Sequence, residues 1–242
     1  MSIRLYVDET LPLGRRFSLP EGPARHLAAV LRARPGDQVS LFDGRGHEVL
    51  AQVLEVGRRQ VDVEIVSEYS PTPESPLVVH LGQAISKGDR MDYAIQKAVE
   101  LGVASVTPLY TERGDVRLKG DRADKKLTHW QNVAISACEQ CGRATVPAIH
   151  PPMALPQWLA ERDDPLRLVL HPGQPGWQEQ QASPARVALL IGPEGGLSAD
   201  EVSASLHHDF IPLGLGPRIL RTETAPVVAL TLLQSRYGDL LP

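Results

Sequence analysis

The residues of this 242-residue chain that could carry chemistry gather at three points in its C-terminal half. The first is Ile191-Gly192-Pro193-Glu194-Gly195-Gly196-Leu197-Ser198, where an apolar run enters a turn with three glycines and then a capped helix. Glycine has no Cβ, so backbone N–H and C=O groups there can approach a ligand closely. A phosphate cradle is built in a similar way, but neither G-x-G-x-x-G nor G-K-[ST] is present, and Glu194 repels phosphate. A neutral or cationic ligand, such as an adenosyl sulfonium, suits these residues better. An ordinary strand-to-helix turn is the alternative, and spacing alone leaves it open.

The second point is Leu213-Gly214-Leu215-Gly216-Pro217-Arg218-Ile219-Leu220-Arg221-Thr222-Glu223-Thr224-Ala225. Two glycines and a proline make a rigid loop, and Arg218, Arg221 and Glu223 then arrive close together before a helix that Thr222 or Thr224 can cap. Charges beside a buried strand are paired or functional; a salt-bridged cap is the competing reading. The third point, Leu168-Val169-Leu170-His171-Pro172-Gly173, sets a histidine at a strand end. A lone histidine there reads as a hydrogen-bonded structural group rather than a base. The two cysteines, Cys138 and Cys141, form a solitary C-x-x-C with no second ligand pair, so they read as neighbours on one helix face and no metal is expected.

These points need a scaffold. Val78–Gln83, Val103–Leu109, Leu166–Leu170, Val187–Ile191 and Phe210–Leu213 read as strands, several of them continuous apolar runs of the kind buried in a parallel sheet. Helices are expected over Met91–Leu101, over the stretch from Leu127 to Cys141 that closes at Gly142, after Ser198-Ala199-Asp200-Glu201 with its capping-box form, and over Val227–Leu233. Strand–helix alternation implies an α/β domain whose ligands bind beyond the carboxyl ends of the strands. Before it, Ile3–Val7, Val39–Phe42, Val49–Val56 and Val61–Val66 read as short strands around a helix at Pro23–Leu31, which suggests a small barrel. Pro71, Pro73 and Pro76 mark a linker, so the domains are expected at 1–70 and 78–242, joined by 71–77.

The net charge of −4 taken alone argues against nucleic acid. Its distribution is uneven: residues 85–145 hold ten Lys/Arg against eight Asp/Glu, whereas 146–242 hold six against ten. Arg113, Arg117, Lys119, Arg122, Lys125 and Lys126 form a basic stretch that suits RNA, or equally a solvated helix face. There is no apolar run long enough to span a membrane and no secretory signal at the N-terminus, so the expected location is the cytoplasm.

Five segments match one family in order. Gln83-Ala84-Ile85-Ser86-Lys87-Gly88-Asp89-Arg90-Met91-Asp92, Gln96-Lys97-Ala98-Val99-Glu100-Leu101-Gly102, Cys138-Glu139-Gln140-Cys141-Gly142-Arg143, the Gly192–Gly196 loop and Leu220–Ala225 resemble the RsmE family. Arg25-His26-Leu27, Val30-Leu31-Arg32 and Leu41-Phe42-Asp43-Gly44 resemble its PUA-like domain, so the resemblance covers essentially the whole chain. It implies an α/β SPOUT methyltransferase domain with a C-terminal trefoil knot, preceded by a PUA-like β-barrel. The knot would be made by segments near Leu170, Gly192–Gly196 and Leu213–Ala225, an exception to the rule that chains do not thread loops. The implied activity is S-adenosylmethionine-dependent methylation of uracil N3 in 16S rRNA of the small ribosomal subunit, by a homodimer and without a metal. Pro226 departs from an ordinary helix former at that position and places the helix start near Thr224 or Ala225.

The resemblance also suggests roles. Leu170, Ile191, Gly192, Pro193, Glu194, Gly195, Gly196, Leu213, Leu215, Gly216, Ile219, Leu220, Thr224 and Ala225 would hold the cofactor. Arg221 would stabilise negative charge on a uracil oxygen, and Glu223 would either orient that arginine or take the proton. Arg25, Arg32, Arg34, Lys87, Arg90, Arg113 and Arg143 would contact RNA. Other readings are a SPOUT enzyme methylating a ribose 2′-hydroxyl, a non-catalytic ribosome-assembly protein, and a nucleotide-dependent enzyme. The intact glycine loop opposes the second; Glu194 and the missing lysine oppose the third.

Overall fold

Val61, Val63 and Ile65 alternate with Asp62 and Glu64, and that period of two makes a strand with one buried face. In the computed structural model, which describes residues 3–57, 60–174 and 183–241, this strand is β5 (Val61–Tyr69). It belongs to a five-stranded sheet with β1 (Arg4–Tyr6), β2 (Arg16–Ser18), β3 (Gln38–Phe42) and β4 (Glu48–Val56), in the order β1-β3-β4-β5-β2. Strand β1 is parallel to β3 and the other pairs are antiparallel. β2 escapes sequence reading because Arg16-Phe17-Ser18 offers a single half-buried side chain and no period. The expected helix at Pro23–Leu31 is instead a short α1 (Glu21–Arg25) that widens into a π-helical turn over His26–Val30, with Leu31 N donating to His26 O at 3.1 Å.

The second sheet is parallel throughout. Strands β6 (Val78–Ala84), β7 (Ser105–Tyr110), β8 (Ala148–Ile149), β9 (Met153–Ala154), β10 (Leu166–Leu170), β11 (Arg186–Ile191) and β12 (Ile211–Leu213) run in the order β12-β10-β11-β6-β7-β8, with β9 also on β7. Between them lie α2 (Asp89–Glu100), α3 (Asp121–Cys141), α4 (Leu155–Ala160), α5 (Ala199–His207) and α6 (Ala225–Tyr237). Helix α2 starts at Gly88, whose φ of 60° a glycine adopts without strain. Helix α3 stops before Gly142 at φ 94°. Helix α6 begins at Ala225, so Pro226 falls in its first turn.

The chain divides into two compact units, residues 1–74 with 138–146 and residues 75–137 with 147–242. The sequence reading puts 138–146 in the second domain; the hydrogen bonds show why they pack with the first. Arg4 donates to Cys138 O at 2.6 Å and Arg143 O at 3.3 Å while pairing with Glu48 at 2.8 Å. Tyr6 N donates to Glu139 Oε1, and Val146 N donates to Gly44 O. Pairings this remote along the chain leave no trace in local spacing. Burial pushes the Cys138 thiol up to about 12, and its Sγ donates to Thr145 O, so this cysteine is a small core residue rather than a nucleophile.

Trp158, 1 % exposed, anchors one core of the second unit together with Leu109, Val169, Leu190 and Phe210. It fits because position 82 is glycine: a Cβ there would sit 2.7 Å from the indole and 2.9 Å from Leu109 Cδ1. Gly82→Val is therefore expected to destabilise by about 1–3 kcal/mol through overpacking. A thermal melt checks this; an unchanged midpoint would mean the core has slack at this point.

Candidate active site

Three parallel strands end side by side. Leu170 is in register with Leu213, Val169 with Leu190, and His171 N donates to Leu213 O at 3.1 Å. Beyond these ends the turn after β11 and the segment 219–225 before α6 enclose a cavity of about 640 Å³, within the range that takes a small ligand. Its apolar wall includes Leu170, Ile191, Leu197, Ile219 and Leu220. Ile219 is 83 % exposed, an apolar side chain at the mouth of the cavity.

The glycine turn is shaped by its own backbone. Gly196 N donates to Pro193 O at 2.9 Å, and Gly196 has φ 70°. A Cβ on Gly192 would lie 3.1 Å from Leu197 Cγ and 3.2 Å from Leu197 N, so any larger residue crowds the turn. The following helix carries both halves of the capping box, Ser198 Oγ accepting from Glu201 N and Glu201 Oε2 from Ser198 N. Glu201 Oε1 accepts from Glu112 N at 2.7 Å, which brings the neighbouring Arg113 over the turn, where its Nη1 donates to Gly195 O at 3.3 Å.

Arg221 and Glu223 both line the cavity. The Arg221 guanidinium is exposed and has no hydrogen-bond or ion-pair partner among the described residues. Glu223 is only 16 % exposed; its Oε1 lies 4.0 Å from Arg90 Nε, and its buried Oε2 has no hydrogen-bond partner among the described residues. Arg90 also pairs with Glu194 at 3.0 Å. Glu223 therefore meets Arg90, and no bond joins it to Arg221.

Ten of the expected cofactor residues line the cavity: Leu170, Ile191, Gly192, Pro193, Glu194, Gly195, Gly196, Ile219, Leu220 and Ala225. Leu213, Leu215, Gly216 and Thr224 do not. Leu213 is 3 % exposed and packs in the core, and Thr224 occupies the N-cap of α6 without a side-chain cap bond. Thr222 is no cap either, but a buried lining residue. His171, Pro172 and Leu197 also line the cavity; they lie in the segments that the sequence singles out, but no ligand contact is expected of them from residue order alone.

The residues expected to touch RNA scatter. Arg90 and Arg113 lie at the cavity. Lys87 pairs with Asp115 at 2.5 Å. Arg25, Arg32 and Arg34 are exposed and free of ion pairs among the described residues. The Arg143 side chain is 13 % exposed and bonds Glu74 at 2.6 Å, so it is engaged within the first unit, as Lys87 is by Asp115. In the basic stretch, Arg117 donates to Thr111 O and Gly114 O. Among the described residues no group of three or more His, Cys, Asp or Glu could hold a metal ion, and no helix is long and apolar enough to cross a membrane.

The chain is similar to known proteins over nearly its whole length. A family model described as RNA methyltransferase domain matches residues 73–234, and one described as RNA methyltransferase PUA domain matches residues 19–66. Ribosomal RNA small subunit methyltransferase E of Buchnera aphidicola (from Schizaphis graminum) is 36 % identical over 98 % of this chain and 97 % of its own. The protein of that name from Bacillus subtilis is 32 % identical over 89 % of this chain and 88 % of its own. A solved Legionella pneumophila chain in complex with the cofactor SAM has a TM-score of 0.96 at 44 % identity, covering 99 % of this chain and 100 % of that one. The crystal structure of ribosomal RNA small subunit methyltransferase E from Neisseria gonorrhoeae, bound to S-adenosylmethionine, has a TM-score of 0.93 at 37 % identity, with 99 % of each chain covered. With both domain types matched in the expected order and near-full-length likeness on each side, this chain belongs to the ribosomal RNA small subunit methyltransferase E family.

Proposed function

We propose that this chain transfers a methyl group from S-adenosylmethionine to N3 of a uridine in small-subunit ribosomal RNA. The observation that carries the reading is the cavity itself: a glycine-walled pocket with an apolar wall at parallel strand ends, lined by an arginine with no partner among the described residues and by a mostly buried carboxylate. The pocket suits the methyl donor. Its volume is adequate, the glycine turn leaves room for close backbone approach, and the apolar wall suits the adenosyl portion. When bound, that donor supplies an electrophilic methyl group on positively charged sulfur.

The chain's own residues supply the rest. Leu170, Ile191, Ile219 and Leu220 exclude water from the adenosyl portion. The Glu223 carboxylate, which lines the cavity, accepts the N3 proton, since a protonated N3 has no lone pair free to attack. Arg221 faces the uracil oxygen on which negative charge then collects. Binding of the flanking RNA falls to Arg90, Arg113 and Lys87 and to the cations of the first unit, on a base that is unpaired or flipped out. The trefoil knot, the cytoplasmic setting and the homodimer belong to the same proposal and rest on the family resemblance.

Incubating the protein with small-subunit particles and labelled donor, then identifying the modified nucleoside, tests the reading. 3-Methyluridine is expected; a 2′-O-methyl product or no transfer would overturn it. The first unit's share is tested by reversing Arg32 and Arg34, which follow the widened turn and its exposed Val30. Arg32→Glu with Arg34→Glu should weaken RNA binding and lower its salt slope by roughly 1 for each phosphate that the variant no longer neutralises. Unchanged binding across a salt series removes this face from the interface.

A further inference from the structure

Beyond the groups that face the reactants, we infer that Thr222 and Gln83 are positioning residues that lock the two walls of the cavity together; this rests on the methyltransferase reading above. Thr222 is 5 % exposed, and its Oγ1 donates to Gly192 O at 2.8 Å, joining the segment before α6 to the first residue of the glycine turn. Gln83, fully buried at the carboxyl end of β6 and in register with Ile191, donates from Nε2 to Thr222 Oγ1 at 3.1 Å and to Ala84 O at 3.2 Å. The orientation of the amide follows from the chemistry of its partners. Carbonyl oxygens only accept, so the Thr222 proton goes to Gly192 and Gln83 must present its NH₂ to both Ala84 O and Thr222.

That orientation leaves Gln83 Oε1 buried with no partner among the described residues, a standing cost that a methionine or leucine would avoid. A polar side chain kept at this cost is explained by what its other end does. The relay Gln83–Thr222–Gly192 spans β6, the glycine turn and the C-terminal segment. Thr222 lies between Arg221 and Glu223 in sequence, so fixing it limits the freedom of the residues on either side. With the walls unlinked, the glycine turn and residues 219–223 lose their common reference, and the ligand must order them on binding.

The test uses the whole chain, titrated calorimetrically with S-adenosylhomocysteine and followed by turnover and thermal melting. Thr222→Val, which keeps the shape and removes the hydroxyl, should weaken binding about tenfold, the effect of one net hydrogen bond. Thr222→Ser should restore it. Gln83→Met should also weaken binding, and should add little on top of Thr222→Val, because residues of one network are not additive. A wild type that binds no product overturns the methyltransferase reading. A wild type that binds, with Thr222→Val and Gln83→Met binding as tightly, overturns the relay, even if both melt earlier. If Thr222→Val does not fold, Gln83→Met decides on the same scale.

Discussion

Arg221→Ala is expected to lower methyl transfer by about two to three orders of magnitude, the usual effect of removing one preorganised group aimed at developing charge. Affinity for the methyl donor should stay close to that of the wild type. The expectation comes from what the guanidinium lacks: it lines the cavity, is exposed, and has no partner among the described residues. A structural arginine would be engaged within the protein, as Arg4 is by Glu48 and Cys138 and Arg143 is by Glu74. Lysine should recover only part of the rate, because an ammonium is a point charge without the planar fork that meets a carbonyl edge. Single-turnover rates together with calorimetry on the same preparation separate the two readings. Loss of donor affinity in parallel with rate would make Arg221 part of the donor site rather than of the reaction.

Glu223→Gln should lower the rate by another large factor, about 10² to 10⁴ for a missing general base. Sequence reading leaves two roles for this residue, orienting Arg221 or taking the proton. In the folded chain its ion-pair partner is Arg90 at 4.0 Å, and among the described residues no bond joins it to Arg221, which favours the proton-accepting role; the amide keeps the shape and removes the charge. The deficit should shrink as pH rises, because more of the uracil then loses its N3 proton to solvent and needs no base. A Glu223→Gln rate that stays depressed by the same factor across alkaline pH would assign Glu223 to holding Arg90 instead. Arg90 shares its guanidinium with Glu194 and Glu223, so Arg90→Ala is a useful companion: it leaves two carboxylates near each other with no cation between them.

Much of this is legible from residue order alone. Continuous apolar runs at Leu166–Leu170 and Val187–Ile191 announce strands buried on both faces, and they are β10 and β11 of the parallel sheet. The Gly192–Gly196 turn, the Ser198/Glu201 capping box and the charged run before α6 are visible because each is a local device, set by residues within a few positions of one another. Those devices, with the ordered family motifs, determined the fold class, the site's location and the two charged residues on which the chemistry is proposed to turn.

Tertiary structure alone decided the rest. The return of residues 138–146 to the first unit depends on Arg4 and Tyr6, at the far end of the chain. Whether an arginine is free or engaged also depends on distant partners: Arg143 is held by Glu74, and Arg221 is not held by any described residue. Thr222 reads in sequence as a helix cap and becomes, in space, a bolt between Gln83 and Gly192. The physical reason is the same in each case. Period and turn chemistry are short-range properties of the chain, whereas hydrogen bonds and ion pairs are satisfied by whichever groups the strand order brings together, and that order is written in no single stretch of residues.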